Sequence, residues 1–171
     1  MSDQQVPLNL QDIQGNILSS YGVGSACYLF YRIDLPDQAR QGLAALISKI
    51  TTEMKKTSEK APSMLNVAFT YQGLKALGLS PNSLNSFPPE FQQGMRNRAA
   101  MLCDFGESAP ENWKSPLGMP QLHMLVLIHG TTENECKIMA DWVKRQVPEA
   151  NGVTLIRELE ANGLPEDKEH F

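Results

Sequence analysis

The side chains with chemistry to offer are three histidines, a close pair of arginines, two tryptophans and a scatter of carboxylates. His123 and His129 lie six residues apart on a predicted strand, so the two-residue period places both on one face. At 3.3 Å per residue they stand ~20 Å apart, too far to share one metal ion. His129 sits beside Gly130 at the strand end and is expected to face solvent. His170 lies at the chain terminus, where fraying is expected. Arg96 and Arg98 suggest an anion site, but residues two apart on a helix do not share a face, so a solvated surface is expected. Glu158 and Glu160 flank Leu159 in strand-like alternation rather than as an acid–base pair. Asp104, Glu107 and Glu111 fall in a predicted loop and suit turn capping. Trp142 reads as a helix packing residue and Trp113 as a loop anchor. There is no Gly-x-Ser-x-Gly, phosphate loop or dinucleotide fingerprint.

The elements that must position these groups can be read from hydrophobic periodicity. Residues 26–33 form a β-prone run, with Ala26, Tyr28 and Phe30 on one face and Cys27, Leu29, Tyr31 and Ile33 on the other. After Pro36, the positions Ala39, Leu43, Leu46, Ile47, Ile50 and Met54 recur at helical spacing. Residues 64–70 and 122–129 read as the second and third strands. Thr132-x-x-Glu135 is a capping box opening a helix with Cys136, Met139, Ala140, Val143 and Val147 on one face, stopped at Pro148. Residues 153–159 complete the set. The order β-α-β, β-α-β predicts an α+β, ferredoxin-like fold with a four-stranded antiparallel sheet, as a single domain over residues 1–171.

Between the second and third strands lies an insertion, roughly residues 71–121. A short helix near 71–77 is expected there, and a second opens at Pro88-Pro89-Glu90. Phe91, Met95, Ala99 and Leu102 would give the second helix one apolar face, with residues 103–120 as loop.

The sheet pattern bears on assembly. Both helices of a ferredoxin-like unit cover one face, and the open face should alternate apolar with polar residues. Here the first strand is apolar on both faces. So is the third, where Leu122, Met124, Val126 and Ile128 oppose Leu125 and Leu127. Both faces therefore want cover, either from a second copy or from the insertion folding back. A homodimer through the open face is the expectation.

Composition limits the remaining classes. The chain is 42% hydrophobic with no apolar run long enough to span a membrane, and its net charge of -4 disfavours a nucleic acid partner. Cys27, Cys103 and Cys136 are widely spaced with no Cys-x-x-Cys, which argues against zinc and a disulfide framework and for a reducing, cytoplasmic setting. The first residues lack the pattern of a secretory signal.

An ordered set of segments narrows the reading further. Asp12-Ile13-Gln14-Gly15-Asn16-Ile17-Leu18 opens the set, and Leu65-Asn66-Val67-Ala68-Phe69-Thr70 with Gly73-Leu74-Lys75-Ala76-Leu77-Gly78-Leu79 follows. Then come Phe87-Pro88, Phe91, Gly94-Met95, Arg98-Ala99 and the run from Asp104-Phe105-Gly106 to Asn112-Trp113. The set closes on Asn162-Gly163-Leu164-Pro165 and Glu169-His170-Phe171. Taken in order, these segments resemble the N-terminal half of the dye-decolourising (DyP-type) haem peroxidases. In that family the last segment leads into Gly-Phe-x-Asp-Gly, whose aspartate handles peroxide, and the 171 residues end before it.

The resemblance implies two ferredoxin-like halves packed sheet to sheet as a dimeric α+β barrel, with the axial histidine, the haem-side arginine and most of the haem pocket in the other half. Trp113 and Trp142 would be candidate electron relays for bulky dyes in an intact relative. The expectation is a truncated, catalytically silent domain with no catalytic, cofactor-binding or metal residue and no cofactor of its own. The alternatives are a split peroxidase completed by a separate C-terminal chain, and a small-ligand module lined by Tyr28, Phe30 and Tyr31.

Overall fold

A computed structural model describes residues 8–58 and 61–163 of the chain. Four strands, β1 (Ser25–Ile33), β2 (Ser63–Phe69), β3 (Met124–Gly130) and β4 (Val153–Asn162), form one sheet in the order β2-β3-β1-β4. Each neighbouring pair is antiparallel. This is the predicted α+β plan, and the observed strands overlap all four predicted ones.

Two helices cover one face. In α2 (Pro36–Ile47), proline in the first turn pre-sets the backbone and Asp37 complements the positive helix start. Helix α7 (Glu133–Gln146) opens with the predicted capping box, Thr132 and Glu135 each accepting from the other's backbone N–H. Its last turn carries Lys144 and Arg145, the favourable sign there. Between these helices and the sheet lies the core, which includes Leu29, Tyr31, Leu46, Leu65, Met124, Val126, Ile128, Ala140 and Val143. Each fully buried aliphatic side chain contributes about 1.5–3 kcal/mol.

The helical spacing that runs to Met54 in the sequence is cut at Ile47. Thr51 turns out to serve the sheet instead: its N–H donates to the Leu65 carbonyl, and its hydroxyl accepts from the Leu65 N–H. Ile50 therefore leaves the helix, and Met54 falls on a separate helix, α3 (Glu53–Ser58). A short helix α1 (Gly15–Leu18) precedes β1.

The insertion is mostly short turns. It holds α4 (Tyr71–Ala76), capped by Thr70, then α5 (Pro81–Asn85), capped by Ser80 and absent from the sequence reading, then α6 (Pro89–Asn97). The predicted apolar face of the last helix does not form. Gly94, at φ 70°, interrupts the helix, Ala99 lies beyond its end, and Phe91, Met95 and Leu102 remain 36%, 58% and 38% exposed. Glycine at a left-handed φ breaks the rotation on which a spacing of four depends.

Candidate functional site: the second face of the sheet

Strand register sorts the residues into rows across the sheet. On the face away from α2 and α7, one row runs Met64, His129, Ala26, Ala161. The next runs Asn66, Leu127, Tyr28, Leu159, and the third Ala68, Leu125, Phe30, Arg157. The face is thus apolar at its centre and polar at scattered points. Tyr31, grouped with Tyr28 and Phe30 in the cavity reading, lies on the helix-covered face, 1% exposed; strand alternation forbids the three from lining one surface.

The first row is capped by the segment between α1 and β1. The Tyr21 ring packs 5.3 Å from the His129 ring, and its hydroxyl donates to Asn66 Oδ1 at 2.6 Å. Tyr28 meets the His129 ring edge-on at 6.2 Å, and the Lys56 ammonium lies 5.3 Å from the Tyr21 ring centre. His129 is therefore half-buried rather than solvent-facing. Its Nδ1 has no hydrogen-bond partner among the described residues, and burial lowers its pKa. Burial raises the Tyr21 pKa, with the Asn66 hydrogen bond opposing it.

The third row is capped by the insertion. Arg157 donates to the Ser115 carbonyl, next to the cis Ser115–Pro116 bond, and Phe30 beside it is 7% exposed. The insertion does fold back over the sheet, but only at this end. The middle row is covered unevenly: Asn66 is 1% exposed, Tyr28 and Leu127 are half-buried, and Leu159 is 42% exposed.

The other candidates take structural positions. His123 is a joint between elements: its Nδ1 accepts from the Ile33 N–H at 3.0 Å, and its backbone bonds Tyr31 and Thr70. Its carbonyl lies so close to Gly73 that a β-carbon there would meet it at 1.9 Å, which is why α4 carries glycine at that contact. Burial lowers the His123 pKa, against the raising effect of hydrogen bonds and Asp34. Glu158 and Glu160 pair with α7 through Lys144 at 2.6 Å and Lys137 at 3.7 Å. Cys27, beside Glu158, is pushed up to about 12 by burial and that carboxylate, which makes it a poor nucleophile. Arg96 donates to the Pro110 carbonyl and Arg98 approaches Met101 Sδ, so the two do not converge. Asp104 is half-buried and Glu107 and Glu111 are exposed. Trp113 anchors the loop by donating to the Ser108 carbonyl, and Trp142 packs on the core. His170 lies outside the described residues.

A cavity of about 950 Å³ opens elsewhere, between α2 and the outer edge of β2, walled by Leu43, Ile47, Ile50, Val67 and Phe69. No imidazole, the proximal haem ligand of peroxidases, is among its described walls, where Met54 is the side chain of a haem-ligating type. No group of three or more metal-ligating side chains forms among the described residues. Sequence reasoning gave no role to Gln14, Tyr21 or Asn66. Gln14 and Asn66 were marked only by membership of the Asp12–Leu18 and Leu65–Thr70 segments, and Tyr21 lies outside both.

A four-stranded antiparallel sheet with two helices on one face and a partly bare second face is one half of an α+β barrel. The chain belongs to the family of the DyP dimeric alpha+beta barrel domain, which matches residues 12–162. It is the N-terminal part of the DyP-type architecture. Dye-decolorizing peroxidase msp1 of Mycetinis scorodonius is 26% identical over 170 residues, covering 96% of this chain and 32% of that protein. Peroxidase 2 of the same organism is 27% identical over 172 residues, again with 32% of its length covered. The chain thus spans about a third of these relatives. Among solved structures, a decolorizing peroxidase from Auricularia auricula-judae superposes with a TM-score of 0.82 at 20% identity, covering 94% of this chain and 35% of that one. An ancestral D-type dye decolorizing peroxidase gives 0.80 at 24%, covering 95% and 36%.

Proposed function

We propose that this chain is the N-terminal domain of a DyP-type haem peroxidase, that it closes its barrel by pairing its second sheet face with another copy of itself, and that alone it turns nothing over. The observation that carries the reading is the incompletely covered apolar patch of Tyr28, Leu127 and Leu159 on the sheet face away from α2 and α7. Apolar surface of this kind marks an interface, and the family's dimeric barrel supports sheet-to-sheet pairing. The names of the relatives, dye-decolorizing peroxidase and peroxidase, support a peroxidase reading for the whole protein. Silence alone is supported by the engagement of His123 Nδ1 with the Ile33 N–H, and by the described walls of the cavity beside α2, which offer iron no imidazole. Free thiols at Cys27, Cys103 and Cys136 support a reducing location such as the cytoplasm. Among the described residues, no helix is long and apolar enough to cross a membrane.

Haemin titration of the purified chain, followed in the Soret region beside light scattering, tests the reading. A weak, non-saturating change with a dimer mass is expected. A saturable shift at one haem per chain or per dimer would overturn the silent reading. A monomer that gains peroxidase activity only with a chain beginning near Gly-Phe-x-Asp-Gly would replace the homodimer with a split enzyme.

A further inference from the structure

The sheet has two outer strands, and an outer strand displays unpaired backbone groups that invite another strand. On β2 those groups are already met at Leu65 and Val67. Gln14 Nε2 donates to the Val67 carbonyl at 2.9 Å, while Gln14 Oε1 accepts from the Val67 N–H at 2.8 Å. One carboxamide thus reproduces both hydrogen bonds that a peptide unit of an added strand would make. One step along the edge, Thr51 does the same for Leu65 with its own N–H and hydroxyl. The two plugs are tied together: the Gly15 N–H donates to the Thr51 carbonyl at 2.9 Å, and Gln14 bridges to Thr52. A β-carbon at Gly15 would sit 3.1–3.3 Å from Tyr21 and Lys56, so glycine next to Gln14 lets this segment lie close.

We propose that Gln14 is a strand surrogate: its carboxamide closes the outer edge of β2 against strand addition by a second copy of the chain, and holds the N-terminal segment there. The edge so closed borders the apolar cavity between β2 and α2. A groove between a helix and a strand edge is the geometry that accepts an extended peptide, main chain on the edge and side chains in the groove. Gln14 occupies the pairing position in that groove, at Val67. The inference concerns the edge and not the face, so it stands whether or not the faces pair.

The test is amide hydrogen exchange on the full chain, with Gln14→Ala and Gln14→Glu compared with the parent. In Gln14→Ala, exchange at Val67 should quicken about tenfold, with Val126 in the neighbouring strand unchanged as the control for folding. Mass by light scattering should rise with concentration in this variant beyond that of the parent. In Gln14→Glu the introduced carboxylate still accepts from the Val67 N–H but has no proton for the Val67 carbonyl. Protection at Val67, relative to Val126, should therefore be weakened at neutral pH and recover as the carboxyl protonates below about pH 5. Unchanged Val67 protection in Gln14→Ala would overturn the surrogate role. Lost protection with the parent's mass at every concentration would overturn the closing of the edge. Should Gln14→Ala fail to fold, a Gln14→Glu protection ratio independent of pH would overturn the proposal by itself.

Discussion

On the helix-covered face of the sheet, Leu29, Met124, Val126 and Ile128 have no exposed surface, whereas on the other face Leu159 keeps 42% and Ala68 is open. Both faces come from the same strands, and both are rich in apolar side chains. The difference lies in what covers them. Two amphipathic helices seal the centre of one face, leaving Val67 and Phe69 to wall a cavity at one edge and Leu155 37% exposed at the other. Tyr21 and the Ser115 loop cover parts of the second face from its two ends. Polar residues enter both faces where the chain meets them: Glu158 and Glu160 pair with lysines of α7 on the helix face, and Asn66 and His129 sit against Tyr21 on the second. Apolar strand composition therefore reports that both faces avoid water, and polar exceptions report where the cover is made by the chain itself.

The comparison would break most visibly at Leu29. Leu29→Asp buries a carboxylate on the sealed face without a partner, and the variant should show no cooperative thermal transition. A folded Leu29→Asp would mean that this face opens to water. Next in size, Ile128→Ala should lower unfolding free energy by about 2–5 kcal/mol, while Leu159→Ala stays within about 0.5 kcal/mol at dilutions where the chain is monomeric; chemical denaturation separates the two, and equal losses there would erase the distinction between the faces. Leu127→Asp, in the middle row, should remain folded with a loss of about 1 kcal/mol and sediment as a monomer. A dimer of unchanged mass would move the interface elsewhere.

The smallest effect belongs to His129. Burial holds its folded pKa below the ordinary histidine value, so the unfolded chain binds a proton that the folded chain refuses. Stability should therefore fall as pH drops through the ordinary histidine range and level off below the depressed value. Denaturation midpoints of His129→Phe should fall less steeply over that range, with the contribution of His123 remaining in both proteins. Parallel curves would mean that His129 is not desolvated on this face.

Much of the fold was legible in residue order because its signals are local. The Thr132–Glu135 box, Pro36 and Pro148 act within a turn of where they stand, and β-prone runs mark strands by composition alone. The failures came where a local pattern met a distant partner. Ile50 and Met54 keep helical spacing, but Thr51 is claimed by Leu65, and Gly94 breaks a helix whose spacing looked continuous. His129 at a strand end looked solvent-bound because Tyr21 is remote from it in sequence. For the site, the sequence placed Tyr28, Leu125 and Leu127 correctly on a face that wants cover. It had no means of finding Gln14, whose role is to imitate a backbone.

By itself the sequence determined the order of elements, the apolar character of both sheet faces and the family to which the chain belongs, because capping, periodicity and recurrent segments are written in consecutive residues. Tertiary structure alone decided which face stays bare, where the insertion lands and how the edge of β2 is closed. Those depend on hydrogen bonds and ring contacts between residues some 40 to 110 positions apart, such as Gln14 with Val67, Ser115 with Arg157 and Tyr21 with His129. No local pattern encodes such distances, because each becomes short only after the chain has paid the entropy of closing the loop between them.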